Sequence, residues 1–165
     1  MKWIESGGGA LVVIEQSAAS TWRGTDTLTG SDETHYDLAS SVYEEIDITH
    51  IDAVPVMVLG DEPNRTYWHT TGDGGVIVRW IHASDESELI EFMTGPASSV
   101  PLTATTWRYE TRGPCIMFDS AYPGDEAPHM LTLPLSPGCY RVETGLVNPS
   151  PTLSCYVHRL RRRGT

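Results

Sequence analysis

Apolar residues in this chain gather in short unbroken runs rather than in helical stripes. Ala10 to Ile14, Val54 to Leu59, and Val76 to Ile81 with Arg79 as the one interruption all have strand length. Val, Ile and Trp suit a pleated, packed surface. Gly72, Asp73, Gly74 and Gly75 precede the third run, and Gly60 to Pro63 close the second. Two strand signals bracketed by turn residues predict the middle of a sheet. Residues 64–71 add a weaker strand around Tyr67 and Trp68. Trp3 and Ile4 form a further short strand, joined to Ala10–Ile14 by a hairpin turn at Gly7–Gly9. Beyond residue 106 the pattern is almost wholly strands. Trp107 to Ala121 is one stretch and His129 to Gly145 another. In the latter Leu131, Leu133 and Leu135 alternate, Ser136-Pro137-Gly138 turns, and Tyr140 and Val142 alternate again, which predicts a hairpin with one buried face. Thr152 to Leu160 is the last strand, and Arg161 to Arg163 read as a frayed tail.

Two segments carry helical spacing. Leu38, Val42 and Ile46 fall at i, i+4 and i+8, which predicts a short helix over 37–46 with Asp37 as its N-cap. Ser84 or Asp85 caps a second helix through Met93, with Glu88 placed for a capping box. Its buried side is Leu89, Ile90, Phe92 and Met93, and Thr94-Gly95-Pro96 stop it. Residues 17–36 read as loop around Trp22, which plugs the core edge, and 95–106 as the connection between halves.

The predicted class is mostly β, a two-part antiparallel β sandwich or two packed β units, with one or two short helices. Residues 1–95 form an acidic N-terminal unit and 96–165 a C-terminal unit, packed as one compact domain. The halves echo each other. Trp3, Glu5, Ser6, Gly8, Ile14, Glu15, Ser17 and Ala18 align with Trp107, Glu110, Thr111, Gly113, Phe118, Asp119, Ser120 and Ala121, allowing one-residue gaps. Trp80-Ile81-His82 aligns with Tyr156-Val157-His158. Internal duplication would give two units, each opening with a Trp-led hairpin and ending in a His-bearing strand.

Charge sharpens the picture. The net formal charge of the 165 residues is −11. Residues 1–95 hold 17 acidic and 4 basic side chains (−13), and residues 96–165 hold 5 and 7 (+2). Phosphates would be repelled by the first half, so nucleic acid is not an expected partner. An acidic face that steers a basic protein partner is the sharper reading. No window approaches the roughly 20 apolar residues of a membrane helix. Glu5, Ser6 and three glycines replace the apolar core of a signal peptide, so the expected compartment is the cytosol. Three cysteines, Cys115, Cys139 and Cys155, show no CxxC spacing and read as free buried thiols.

A search for catalytic chemistry yields little. Gly7–Gly9 lacks the helix start and lysine of a phosphate loop. His69 and Asp73 span a glycine turn rather than a helix face, so zinc geometry is absent. Ser17, Ser41 and Ser120 lack nucleophile-elbow contexts. Glu15 and Asp119, equivalent in the echo, are a candidate carboxylate pair. Arg79 either faces solvent or pairs with an acid of the first half. The expectation is no enzyme, no cofactor and no metal.

Trp3-Ile4-Glu5 with Gly8-Gly9, Trp22-Arg23-Gly24, Tyr36-Asp37, Val58-Leu59-Gly60-Asp61-Glu62-Pro63, Val78-Arg79-Trp80, Phe118-Asp119-Ser120-Ala121-Tyr122-Pro123-Gly124 and Pro137-Gly138-Cys139-Tyr140-Arg141-Val142 form an ordered set along nearly the whole chain. In that set the chain resembles the Immunity protein 21 family of bacterial polymorphic toxin systems. The resemblance implies a mostly β, cytosolic inhibitor that binds a cognate toxin, with no contact residues to carry over. The acid excess fits a basic nuclease as that toxin, and the candidate contacts are Asp61, Glu62, Asp73, Asp85, Glu86 and Glu88. The alternative is a carbohydrate-like ligand module stacking sugars on Trp22, Trp68 and Tyr67.

Overall fold

Each apolar run becomes a strand covered on both faces. A computed structural model describes residues 2–28, 30, 32–60, 64–95, 97 and 99–164. Ten strands are seen: β1 (Leu11–Glu15), β2 (Asp47–Ile51), β3 (Val54–Leu59), β4 (Thr66–Thr71), β5 (Gly74–Ala83), β6 (Thr103–Thr111), β7 (Cys115–Asp119), β8 (Leu131–Leu133), β9 (Gly138–Ser150) and β10 (Leu153–Arg162). A 3-10 turn spans Gln16–Thr21, helix α1 spans His35–Ser40 and helix α2 spans Glu86–Thr94. The strands build two antiparallel five-stranded sheets, ordered β2-β3-β1-β7-β8 and β4-β5-β10-β9-β6.

Three apolar clusters follow. Leu11, Val13, Met57, Leu59 and Met117 of the first sheet meet Trp68, Ile77, Tyr140, Val142 and Leu160 of the second, so the sheets pack face to face. Val12, Ile14, Val56, Val58, Ile116 and Phe118 point away from that layer and are covered by Trp22, Ala19 and Ala39. The outer face of the second sheet, with Val76, Val78, Cys155 and Val157, lies under Leu89, Phe92 and Met93 of α2. A strand buried on both faces has no polar alternation, which is why β1, β3, β5 and β7 read as solid apolar runs. Gly75 is required where β5 pairs with β4: a Cβ there would sit 2.1 Å from the Trp68 ring. Gly24 adopts φ +59°, and a Cβ would meet the Ala121 carbonyl oxygen at 2.4 Å.

Strands before residue 95 lie on one side of both sheets and strands after it on the other. The two groups join where β1 pairs β7 and β5 pairs β10. The order of connections repeats: β1-β3-β4-β5 and β7-β8-β9-β10 each place two strands in one sheet and two in the other. Ile4, bridged to Thr66 of β4, takes the place that β6 takes beside β9. The segment with α1 and β2 interrupts only the first series.

Several local expectations are corrected. The first helix starts at His35, because Thr34 and Asp37 form a capping box in which Asp37 is the third helical residue, not the cap. The helix ends at Ser40, and Val42 and Ile46 fall in the following loop and pack into the cores. Residues 47–51 form edge strand β2, hidden from pattern reading by its mixed burial. β6 begins at Thr103, inside the expected connection. The arginine tail is not frayed: Arg161 and Arg162 pair with Arg141 and Tyr140 of β9.

Candidate functional site

Asp85, Glu86 and Glu88 are gathered at the start of α2. Asp85 is the N-cap, its carboxylate accepting from the Ser87 N–H and hydroxyl, each at 2.6 Å. These bonds hold its carboxyl below the usual range, the hydroxyl contributing most. Glu88 does not reach back to complete the expected capping box. Its Oε1 accepts from Ser150 Oγ at 2.5 Å and from Thr152 Oγ1 at 3.0 Å, which ties the helix to the β9–β10 turn. Glu86 accepts from the indole N–H of Trp3 at 3.0 Å.

That last bond leads into an aromatic cluster that sequence reading missed. Trp3 packs at 5.7 Å from Tyr67 and 5.9 Å from Trp80, centroid to centroid. The Arg65 guanidinium lies 5.2 Å from the Trp3 ring and 5.1 Å from that of Trp80, and pairs with Glu5 at 2.6 Å. The Ile4–Thr66 bridge makes this meeting, since it seats Trp3 beside Arg65 and Tyr67. Nothing local to either segment announces it. Ile81, 44% exposed, follows Trp80 on β5.

The other candidates fall elsewhere. Asp73 sits in the β4–β5 turn, accepting from Thr71 Oγ1 at 3.0 Å, while its carbonyl accepts from the Arg162 N–H at 2.7 Å. The ten residues of β5 separate it from Asp85 by about 30 Å at normal strand rise. Asp61 and Glu62 lie outside the described residues.

Glu15 and Asp119 are not a carboxylate pair. β1 and β7 run antiparallel, so Glu15 stands opposite Cys115 and Asp119 opposite Leu11, at opposite ends of the ladder. Each clasps a turn of the other half. Glu15 Oε2 accepts from the Arg112 N–H at 2.7 Å, and Asp119 Oδ2 accepts from the Gly7 N–H at 2.6 Å. Glu15 also accepts from the Ser17 hydroxyl, and these bonds lower its pKa, with Ser17 the largest cause.

Arg79 does not reach solvent. It is buried between the sheets, donating to the carbonyls of Glu45 (2.8 Å) and Gly60 (2.5 Å), with its guanidinium 5.6 Å from the Tyr156 ring. His158 lies wholly buried, its Nδ1 2.7 Å from Thr144 Oγ1, and desolvation followed by the Arg79 charge keeps it neutral. Its partner in the echo, His82, is exposed.

Two of the three rings expected to stack sugars are buried. Trp22 is fully buried and donates to the Ser120 carbonyl at 2.9 Å, Trp68 is 6% exposed, and Tyr67 is half-buried against Trp3. A cleft of about 500 Å³ is lined by Glu15, Ser17, Val54, Glu110, Arg112 and Cys139 among others, with no histidine beside Ser17 or Cys139. Among the described residues no group of three His, Cys, Asp or Glu side chains is placed to hold a metal. Among the described residues no helix is long and apolar enough to cross a membrane.

A family model described as Immunity protein 21 matches residues 2–152, whereas no curated protein and no solved structure matches the chain.

Proposed function

The chain belongs to the Immunity protein 21 family, and on that premise we propose that it neutralises a cognate protein toxin in the cytosol by stoichiometric binding, through the acidic end of α2. The observation that carries this reading is the meeting of Asp85, Glu86 and Glu88 with Trp3, Tyr67, Trp80 and Arg65. Trp, Tyr and Arg are the residues that dominate binding energy at protein interfaces. Carboxylates beside them steer a basic partner and set its orientation. An excess of 13 negative charges in residues 1–95 extends that field. A basic nuclease is the toxin chemistry it suits, because an acidic surface can occupy a cleft built for phosphates. Asp73, at the far end of β5, would contribute only at long range.

The test is capture of the toxin by tagged protein from native lysate, followed by association kinetics with the purified pair. Replacing Asp85 and Glu86 by Lys should slow association about tenfold or more at low salt and little at high salt. Trp80→Ala should instead speed dissociation. An on-rate that ignores both the charge reversal and the salt would sink the acidic-face reading.

A further inference from the structure

Three exposed arginines stand in one line across the second sheet. Arg108 of β6 is opposite Arg141 of β9, and Arg141 is opposite Arg161 of β10. Directly opposed residues share a face, so all three project from the side of the sheet that carries the Arg159–Glu143 pair and α2. Like charges directly opposed across strands are destabilising, and here the opposition occurs twice in succession. Glu110, two residues along β6 on the same face, is the near carboxylate beside Glu143, and it forms no ion pair with the row. Among the described residues no carboxylate lies within 4 Å of any of the three guanidinium groups; the ion pairs seen there are Arg23–Asp26, Arg65–Glu5 and Arg159–Glu143. Arg108 donates only to carbonyls of its own strand, at Thr106 and Trp107. Glu143, one step along β9 on the same face, is committed to Arg159.

We propose that the Arg108–Arg141–Arg161 row is a docking surface for an acidic helix of a partner protein. This surface has the opposite sign to the α2 end and does not depend on it. Neighbouring strands are about 4.8 Å apart, so the row places charge at about 0, 4.8 and 9.6 Å. A helix laid across the strands with Glu at i, i+3 and i+7 presents carboxylates at about 0, 4.5 and 10.5 Å along its axis. An extended acidic strand repeats on one face only every 6.7 Å or so, a poorer match. A nucleic acid matches worse in charge, because the chain as a whole carries −11 and repels a long polyanion before contact. Arginine suits the role, since its planar fork takes a carboxylate with two hydrogen bonds.

The probe is a labelled alanine-based helical peptide with Glu at that spacing, measured by anisotropy or NMR shifts at low salt. Controls are a peptide of the same composition with a helix-breaking proline, and an oligothymidylate. Wild type should bind the helical peptide, more weakly the broken one, and R108Q/R141Q/R161Q should bind it at least tenfold more weakly. R112Q, which alters an arginine outside the row, should bind as wild type does. The triple variant should melt no lower than wild type, because repulsion has been removed. Should it fail to fold, R141Q alone, at the centre of the row, should still lose several-fold. The proposal is overturned by wild type that ignores the peptide at low salt, by a folded variant that binds it undiminished, or by tighter binding of oligothymidylate.

Discussion

Glu15 and Asp119 perform one task twice, and that task was legible only as an alignment of letters. The echo placed them in equivalent positions. What it could not convey is that antiparallel pairing sends equivalent residues to opposite ends of a ladder, where each reaches the other half's turn. Glu15→Gln should destabilise the protein, because the bond from the Arg112 N–H loses its charge. The effect should follow pH. Glu15 has its folded pKa depressed, so its contribution is full above the unfolded value near 4.5 and is lost as pH falls through the folded value. Denaturant melts of wild type and E15Q should therefore converge in acid. Buried His35 accepts from the Arg23 N–H at 2.9 Å, and desolvation lowers its pKa. With His158, it favours the folded state above pH 6.5 and withdraws that support as pH falls below it. Stability should thus begin to drop before the carboxylates titrate, and H35Q should flatten that first part of the profile. Thiol chemistry separates the cysteines as well. Burial raises the Cys115 pKa and pushes Cys155 up to about 12, so alkylation of native protein should modify half-buried Cys139 first.

At the scale of elements, the strands were legible and their surroundings were not. A solid apolar run such as CIMF says that both faces are covered without saying by what. Here one face meets the second sheet and the other lies under Trp22 and α1, while the second sheet's own outer face is covered by α2; these outer covers come from segments whose own patterns are weak. β2 escaped because Asp-Ile-Thr-His-Ile at a sheet edge has no clean alternation. α2 was readable from its cap. Asp85→Ala removes the N-cap side chain of α2 and should cost about 1 kcal/mol. It should also loosen the acidic end that Glu86 and Glu88 help to pin. A crowded strand contact should be costlier than a lost cap: Gly75→Ala drives a methyl into the Trp68 ring and should lower the melting temperature by several degrees or prevent folding. Thermal melts of the two variants beside wild type check both.

The molecule as a whole has its charge sorted along β10. The acids of α2 meet the turn where that strand begins, and the arginine row crosses it near Arg161, about 26 Å away at strand rise. The imbalance between halves was visible in the sequence, but its placement required registers that no composition reveals. Pairing of β1 with β7 and of β5 with β10 has a further meaning in time. β1 sits at the centre of its sheet, yet one of its flanks stays open until residues 115–119 have been made. β5 waits still longer, for residues 153–162. During synthesis the first half therefore carries two bare, apolar strand flanks, the kind of surface that chaperones hold and that aggregates claim. Closure by contacts so distant along the chain is slow. Any protection this protein gives its cell must come from molecules finished in advance, because one still on the ribosome lacks the strands that close its sheets.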